Sequence, residues 1–197
     1  MSRTIARAPR LLVVPGLRSS GPTHWQSWLQ AQHRDARRVE QDDWTAPELD
    51  RWAARVAETL AGDDGPWIAV AHSFGCLALA RHLQLRPDSP VRAALLVAPA
   101  EPDRFDVAER LPPGPLGRPS TVVASDNDPW MSAASSRRWA GRWGSTWLTL
   151  GEAGHINIES GFGPLPLARR WVVAMGARLA RERRPVHASW PEWSFAV

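Results

Sequence analysis

An open, doubly wound α/β sheet of about six mainly parallel strands, with helices on both faces, is the fold class this sequence predicts. Short apolar runs without polar alternation recur at Leu11–Val14, Trp67–Ala71, Ala93–Ala98 and Thr121–Ala124, as strands covered on both faces require. Stretches with apolar residues at helical spacing fall between these runs. Strand and helix thus alternate along the whole chain, which implies right-handed crossovers and parallel pairing.

The elements follow in order. Leu11–Val14 runs into Pro15-Gly16, which ends it. Thr23–His33 carries Trp25, Trp28 and Leu29 on one helical face. Arg38–Gln41 has the mixed character of an edge strand. Pro47 sits where a first-turn proline is tolerated, and Trp52, Val56 and Leu60 continue that helix. The run Trp67–Ala71 leads into a helix over Phe74–Leu85, which Pro87 closes. Ala93–Ala98 and Thr121–Ala124 are the next strands, and Ser145–Leu150 reads as the second edge. Ser132–Trp143 and Leu165–Arg184 supply the last two helices. Pro99–Pro119 is long, irregular and rich in Pro and acids; in a compact domain such a connection reads as a functional loop where selectivity is sought first.

Length and composition bound the rest. The 197 residues fit one domain over 1–197, with a core over about 10–180 and an Arg-rich, Trp-containing tail over 181–197. Hydrophobic residues at 44% and charged residues at 22% exclude disorder as the default. A single cysteine, Cys76, excludes an internal disulfide and a multi-cysteine zinc site, and reads as a small buried hydrophobe. All 24 basic residues are Arg, and with neither Lys nor Tyr to titrate near pH 10 the pI reaches about 11.0 at a net charge of only +4. The pI therefore overstates how basic the surface is. The Arg residues are interleaved with acids, only Arg178–Arg184 clusters, and most of the 12 Trp fall at core-facing spacing, so nucleic acid is not an expected partner.

The apolar stretch after the N-terminal arginines is too short for a secretory signal, and no run is long enough to span a membrane. A cytoplasmic location without a membrane partner is the expectation. Neither metal-ligand spacing nor a Gly-rich phosphate loop is present, so no metal and no cofactor are expected.

Chemistry concentrates at Ala71-His72-Ser73-Phe74-Gly75. A buried strand ends, a serine flanked by small residues appears, and an apolar helix begins, which is the context of a nucleophile turn. Small flanks are needed because strand and helix backbones crowd together there; Ala71 stands where Gly is commoner. The plain alternative is a serine that caps the helix. A serine hydroxyl needs a base and the base an orienting acid, each on a loop after a later strand. Ser125-Asp126-Asn127-Asp128-Pro129-Trp130 follows one strand and Gly151–Asn157, with His155, follows the next. Asp128, fixed by Pro129, is favoured over Asp126 as the acid, and His155 is the favoured base. His24, which follows the first strand's loop, is its competitor; His72 faces the site or neighbouring loops; His33, His82 and His187 read as solvated. The donors for a developing oxyanion are the N–H groups of Phe74 and Leu17, with Gly16 admitting the substrate carbonyl. Gly16, His24, His72 and Trp130 are candidate pocket residues.

With these residues in place, the chain resembles the compact α/β-hydrolases of the YdeN and retinoblastoma-binding-protein-9 type. The matching stretches are Val14-Pro15-Gly16-Leu17, Thr23-His24-Trp25-Gln26, Gln41-Asp42-Asp43-Trp44, Ala71–Gly75, Asn127-Asp128-Pro129-Trp130 and Gly154-His155-Ile156-Asn157, in that order from residue 11 to about 175. The resemblance implies a minimal hydrolase with a small or absent lid and the triad Ser73, Asp128 and His155. The expected function is a serine hydrolase cleaving a carboxylic ester or related small acyl substrate through an acyl-enzyme. The alternative is a catalytically weak protein of the same fold that uses the cleft for a ligand or protein partner.

Overall fold

Side chains of the central strands alternate between two covered faces, and this alternation places the helices. The computed structural model describes residues 8–63 and 65–182. Its strands are β1 (Arg10–Val14), β2 (Arg37–Arg38), β3 (Trp67–Ser73), β4 (Val91–Pro99), β5 (Ser120–Ala124) and β6 (Thr146–Thr149). Its helices are α1 (Trp25–Gln30), α2 (Leu49–Leu60), α3 (Phe74–Leu85), α4 (Ala133–Arg142) and α5 (Pro166–Glu182). Leu12, Val14, Ala69, Ala71, Leu96 and Val122 point to the face covered by α2, α3 and α4. Leu11, Val13, Ile68, Val70, Leu95 and Val123 point to the face covered by α1 and α5. One sheet is thus covered by helices on both faces, an α/β sandwich.

Every strand pair is parallel, and the order is β2-β1-β3-β4-β5-β6. From β1 the chain moves outward to β2, then returns across β1 to β3 and proceeds the other way. The order reverses at β1 and β3, so a crevice opens between their carboxyl ends, where an α/β sheet binds ligands. Val14 pairs with Ala71, which sets Pro15-Gly16 beside the turn that follows β3.

The edge strands differ from expectation in extent. β2 is shorter than the Arg38–Gln41 stretch, because the chain departs after Val39 donates to the Val13 carbonyl oxygen. α1 occupies only the middle of Thr23–His33: His24 caps its start, and residues 31–36 close in tight turns instead. The long connection before β5 contains two short 3-10 segments, Pro102–Phe105 and Ala108–Arg110, and its Val107, Leu111 and Leu116 are buried in the core. It packs as a wall rather than a detached lid. The tail from residue 183, with His187, Trp190, Trp193 and Phe195, lies outside the described residues.

His82 is a correction: it is buried on α3 instead of solvated, with Nε2 2.9 Å from Ser89 Oγ, because α2 and the turn before β4 close over it. Some core tryptophans have their N–H satisfied, as where Trp52 donates to the Ala46 carbonyl oxygen and Trp171 to Thr121 Oγ1, whereas the indole N–H groups of Trp67 and Trp143 are buried without a partner among the described residues. Arginines act as struts: Arg118 donates to the carbonyl oxygens of Pro87, Ser89 and Val91. No helix among the described residues is long and apolar enough to cross a membrane.

Gly75 shows how closely β1 and α3 approach. A Cβ there would collide with the Pro15 carbonyl oxygen and stand 2.6 Å from that of Val14. Gly75→Ala is therefore expected to destabilise the fold by about 3 kcal/mol in chemical denaturation, since backbone rather than a side-chain tip must yield.

Candidate active site

Ser73 ends β3 at φ 53° and ψ −128°, a left-handed conformation that costs a non-glycine residue on the order of 1–3 kcal/mol and is retained where geometry demands it. Its hydroxyl makes no capping bond to α3, so the helix-capping alternative does not describe it. The sharp turn instead lifts Oγ toward the crevice. Phe74 opens α3, where an N–H has no acceptor within the helix. Gly16 lies against the turn: a Cβ on it would be 2.6 Å from Ser73 Cβ. The Gly16-Leu17 peptide therefore reaches the same space as Ser73 Oγ. Ala71, the departure from Gly, is fully buried in the core, so its methyl is accommodated.

The loops after β5 and β6 bring the remaining groups together. His155 Nε2 lies 2.9 Å from Ser73 Oγ, and His155 Nδ1 lies 2.9 and 3.0 Å from Asp128 Oδ1 and Oδ2. A carboxylate only accepts, so Nδ1 carries the proton and Nε2 offers its lone pair to the serine O–H. Both side chains are nearly sealed from solvent, at 8% and 2% exposure for His155 and Asp128. Asp126 serves elsewhere: its carboxylate accepts from Thr149 Oγ1, tying the β5 loop to β6.

A supporting network holds these loops. Asn127 Oδ1 accepts from Ser125 Oγ and from the Gly154 N–H, and Ser160 Oγ accepts the His155 N–H. Trp25 donates from Nε1 to the Ile156 carbonyl oxygen, across the sheet top from α1. Gln26, wholly buried, donates to the carbonyl oxygens of Val14 and Val70 and thereby clamps the ends of β1 and β3. Trp25, Gln26 and Asn127 lie within the matching stretches, but nothing in the sequence marks them for these supporting roles.

His24 and His72 also meet here. The His72 ring stacks edge-on at 4.9 Å from His24 and lies 4.9 Å from the His155 ring, and His72 Nε2 bonds the His155 carbonyl oxygen at 2.9 Å. His24 Nδ1 accepts the Gln26 N–H at the start of α1. Burial first, then the neighbouring Arg38 and His155, lowers the His24 pKa to about 4; burial foremost lowers His72 well below the ordinary range. Burial likewise takes His82 to about 4. The unfolded chain protonates these imidazoles below about pH 6.5, whereas the folded chain keeps them neutral, so the unfolded state binds more protons and stability falls as pH drops from there toward 4. Thermal melts should show this acid decline. His82→Gln should make it shallower, by on the order of 2 kcal/mol between those limits.

A cleft of about 450 Å³ opens over Ser73, with Leu17, Phe105, Trp130 and Ile158 as its apolar lining and Arg18 and Glu159 among its charged residues. Trp130 is exposed and its ring lies 6.0 Å from that of His155. Cys76 stays apart from this chemistry: it is fully buried, bonds toward the Val97 carbonyl oxygen, and burial pushes its thiol well above the ordinary range. Among the described residues no three His, Cys, Asp or Glu side chains gather as metal ligands would.

A parallel sheet with a strained serine after a central strand, and His and Asp delivered by the next strands' loops, is the architecture of α/β-hydrolases. The sequence model of the serine hydrolase family matches residues 11–174, and the chain belongs to that family. Among solved structures it is similar to a putative YdeN-like hydrolase from Pectobacterium atrosepticum, at 37% identity over 87% of this chain and 92% of that one, with a TM-score of 0.83. The ydeN gene product of Bacillus subtilis matches at 20% identity over 86% of this chain and all of that one (TM-score 0.71). Mouse α/β-hydrolase domain-containing protein 10 shares the fold at 14% identity and a TM-score of 0.63, over 92% of this chain and 98% of its own. Among curated proteins nothing matches.

Proposed function

We propose that this hydrolase is a carboxylesterase-like enzyme in which Ser73 is the nucleophile, His155 the base and Asp128 the acid that orients it. The observation that carries the reading is the continuous chain from Asp128 through His155 to Ser73 Oγ, each link at 2.9–3.0 Å. Ser73 Oγ attacks the ester carbonyl while its proton passes to His155 Nε2. The resulting imidazolium is held by Asp128, and the oxyanion by the N–H groups of Leu17 and Phe74. His155 then protonates the leaving alkoxide, and water, deprotonated by the same nitrogen, releases the acid from Ser73. The cleft is of a size that holds a small acyl substrate.

A fluorophosphonate probe tests the nucleophile directly. Labelling is expected on the peptide containing Ser73; a stoichiometric adduct on another residue, or undiminished labelling after Ser73→Ala, contradicts the assignment.

A further inference from the structure

Three buried histidines line the cleft, and two have their ring N–H groups committed to the protein. His72 Nε2 is bonded to the His155 carbonyl oxygen, and His155 is engaged at both nitrogens by Asp128 and Ser73. His24 differs. It is 95% buried, its Nδ1 lone pair is taken by the Gln26 N–H, and Nε2 has no protein partner among the described residues. Nε2 is not sealed from solvent, so the ring edge opposite the helix backbone opens on the cleft. With the ring neutral near pH 7, its single proton sits on Nε2, and that nitrogen can only donate.

Resting on the reading of Ser73 as nucleophile, we propose that His24 Nε2–H is a substrate-recognition donor, and that the cleft takes esters carrying an oxygen acceptor (ether, hydroxyl or oxo) beyond the scissile carbonyl. His24 meets His72 and His72 in turn meets His155, with ring centroids 4.9 Å apart at each step, so the donor is assigned to an acceptor beyond the scissile carbonyl rather than to that carbonyl, which the Leu17 and Phe74 N–H groups serve. An acceptor on the acyl or alcohol chain meets it instead. The walls at Leu17, Phe105 and Trp130 bury the intervening carbons. An alkyl chain of the same shape displaces water from Nε2–H without replacing its hydrogen bond, and a site built around a donor discriminates against such a chain.

The test compares isosteric ether and methylene esters. On the acyl side the pair is p-nitrophenyl methoxyacetate and p-nitrophenyl butyrate; on the alcohol side it is methoxyethyl butyrate and butyl butyrate, followed by proton release. His24→Asn retains an oxygen able to accept the Gln26 N–H at the helix start but is too short to restore a donor at the Nε2 position. His24→Leu removes both. The ratio of kcat/KM for ether over methylene is expected to fall about tenfold from wild type to both variants in one of the two arms. Intrinsic ester reactivity cancels in that comparison, and a helix-capping role alone leaves the ratio where it was. Ratios unchanged in both arms, with Ser73 still labelled by a fluorophosphonate, overturn this inference alone. Absence of Ser73 labelling in the wild-type protein overturns the nucleophile reading and this inference with it.

Discussion

Ser73→Ala is expected to lower kcat/KM for p-nitrophenyl esters by on the order of 10⁴–10⁶-fold, measured against a wild-type control at equal concentration. On the proposed mechanism the three groups act as a unit, so the loss is large: without Oγ, neither the base nor the acid has an attacking atom to act on. What survives is the modest acceleration from oxyanion donors and binding. A companion substitution separates chemistry from architecture. Ser73→Gly should be equally inactive yet more stable than Ser73→Ala by about 1 kcal/mol, because glycine accepts φ 53° and ψ −128° without strain. Equal melting temperatures for the two variants would show that the turn stores no strain.

Asp128→Asn is expected to cost about 10⁴-fold in kcat while leaving the fold intact. Asp128 Oδ1 accepts the Trp130 N–H at 2.8 Å, and the carboxylate also faces His155 Nδ1 with both oxygens. An asparagine that keeps its oxygen toward the Trp130 N–H turns its NH₂ to His155. Two donors then oppose each other unless the imidazole moves its proton to Nε2. In that tautomer Nε2 no longer accepts the serine proton. Activity of this variant should therefore remain low at every pH up to 9, and a loss under tenfold would mean that Asp128 does not set the tautomer.

Much of the fold was readable because the central strands are covered on both faces. Val70, Leu95 and Val123 lie in unbroken apolar runs that only a buried parallel sheet explains. The edges were less legible. Arg37 and Arg38 form a two-residue strand whose end is set by where neighbouring segments pull the chain, and Arg38 itself is drawn to Gln30, Ser20 and Ser27. At the candidate site, chain order and loop placement pointed to Ser73, Asp128 and His155, each after a strand's carboxyl end, and the structure brings the three side chains within hydrogen-bond reach of one another. The clamps were not legible. Gln26 bonds backbone oxygens of two strands, a contact that leaves no side-chain pattern elsewhere in the sequence. His82 read as solvated because a helix face is judged by its own spacing, whereas its partner Ser89 lies on a turn that folds back over it. Pro99–Pro119 reads from the sequence as the place to seek selectivity first; of its residues only Phe105 reaches the cleft, while the β1 loop and the segment after His155 contribute more of the lining.

The decisive measurement is the mass of the protein quenched during turnover of p-nitrophenyl acetate. One acetyl group on the peptide containing Ser73, formed with a burst of p-nitrophenol and lost on longer incubation, is the predicted result. Steady turnover with no acyl adduct at Ser73, or an adduct carried by another residue, would contradict covalent catalysis by this serine.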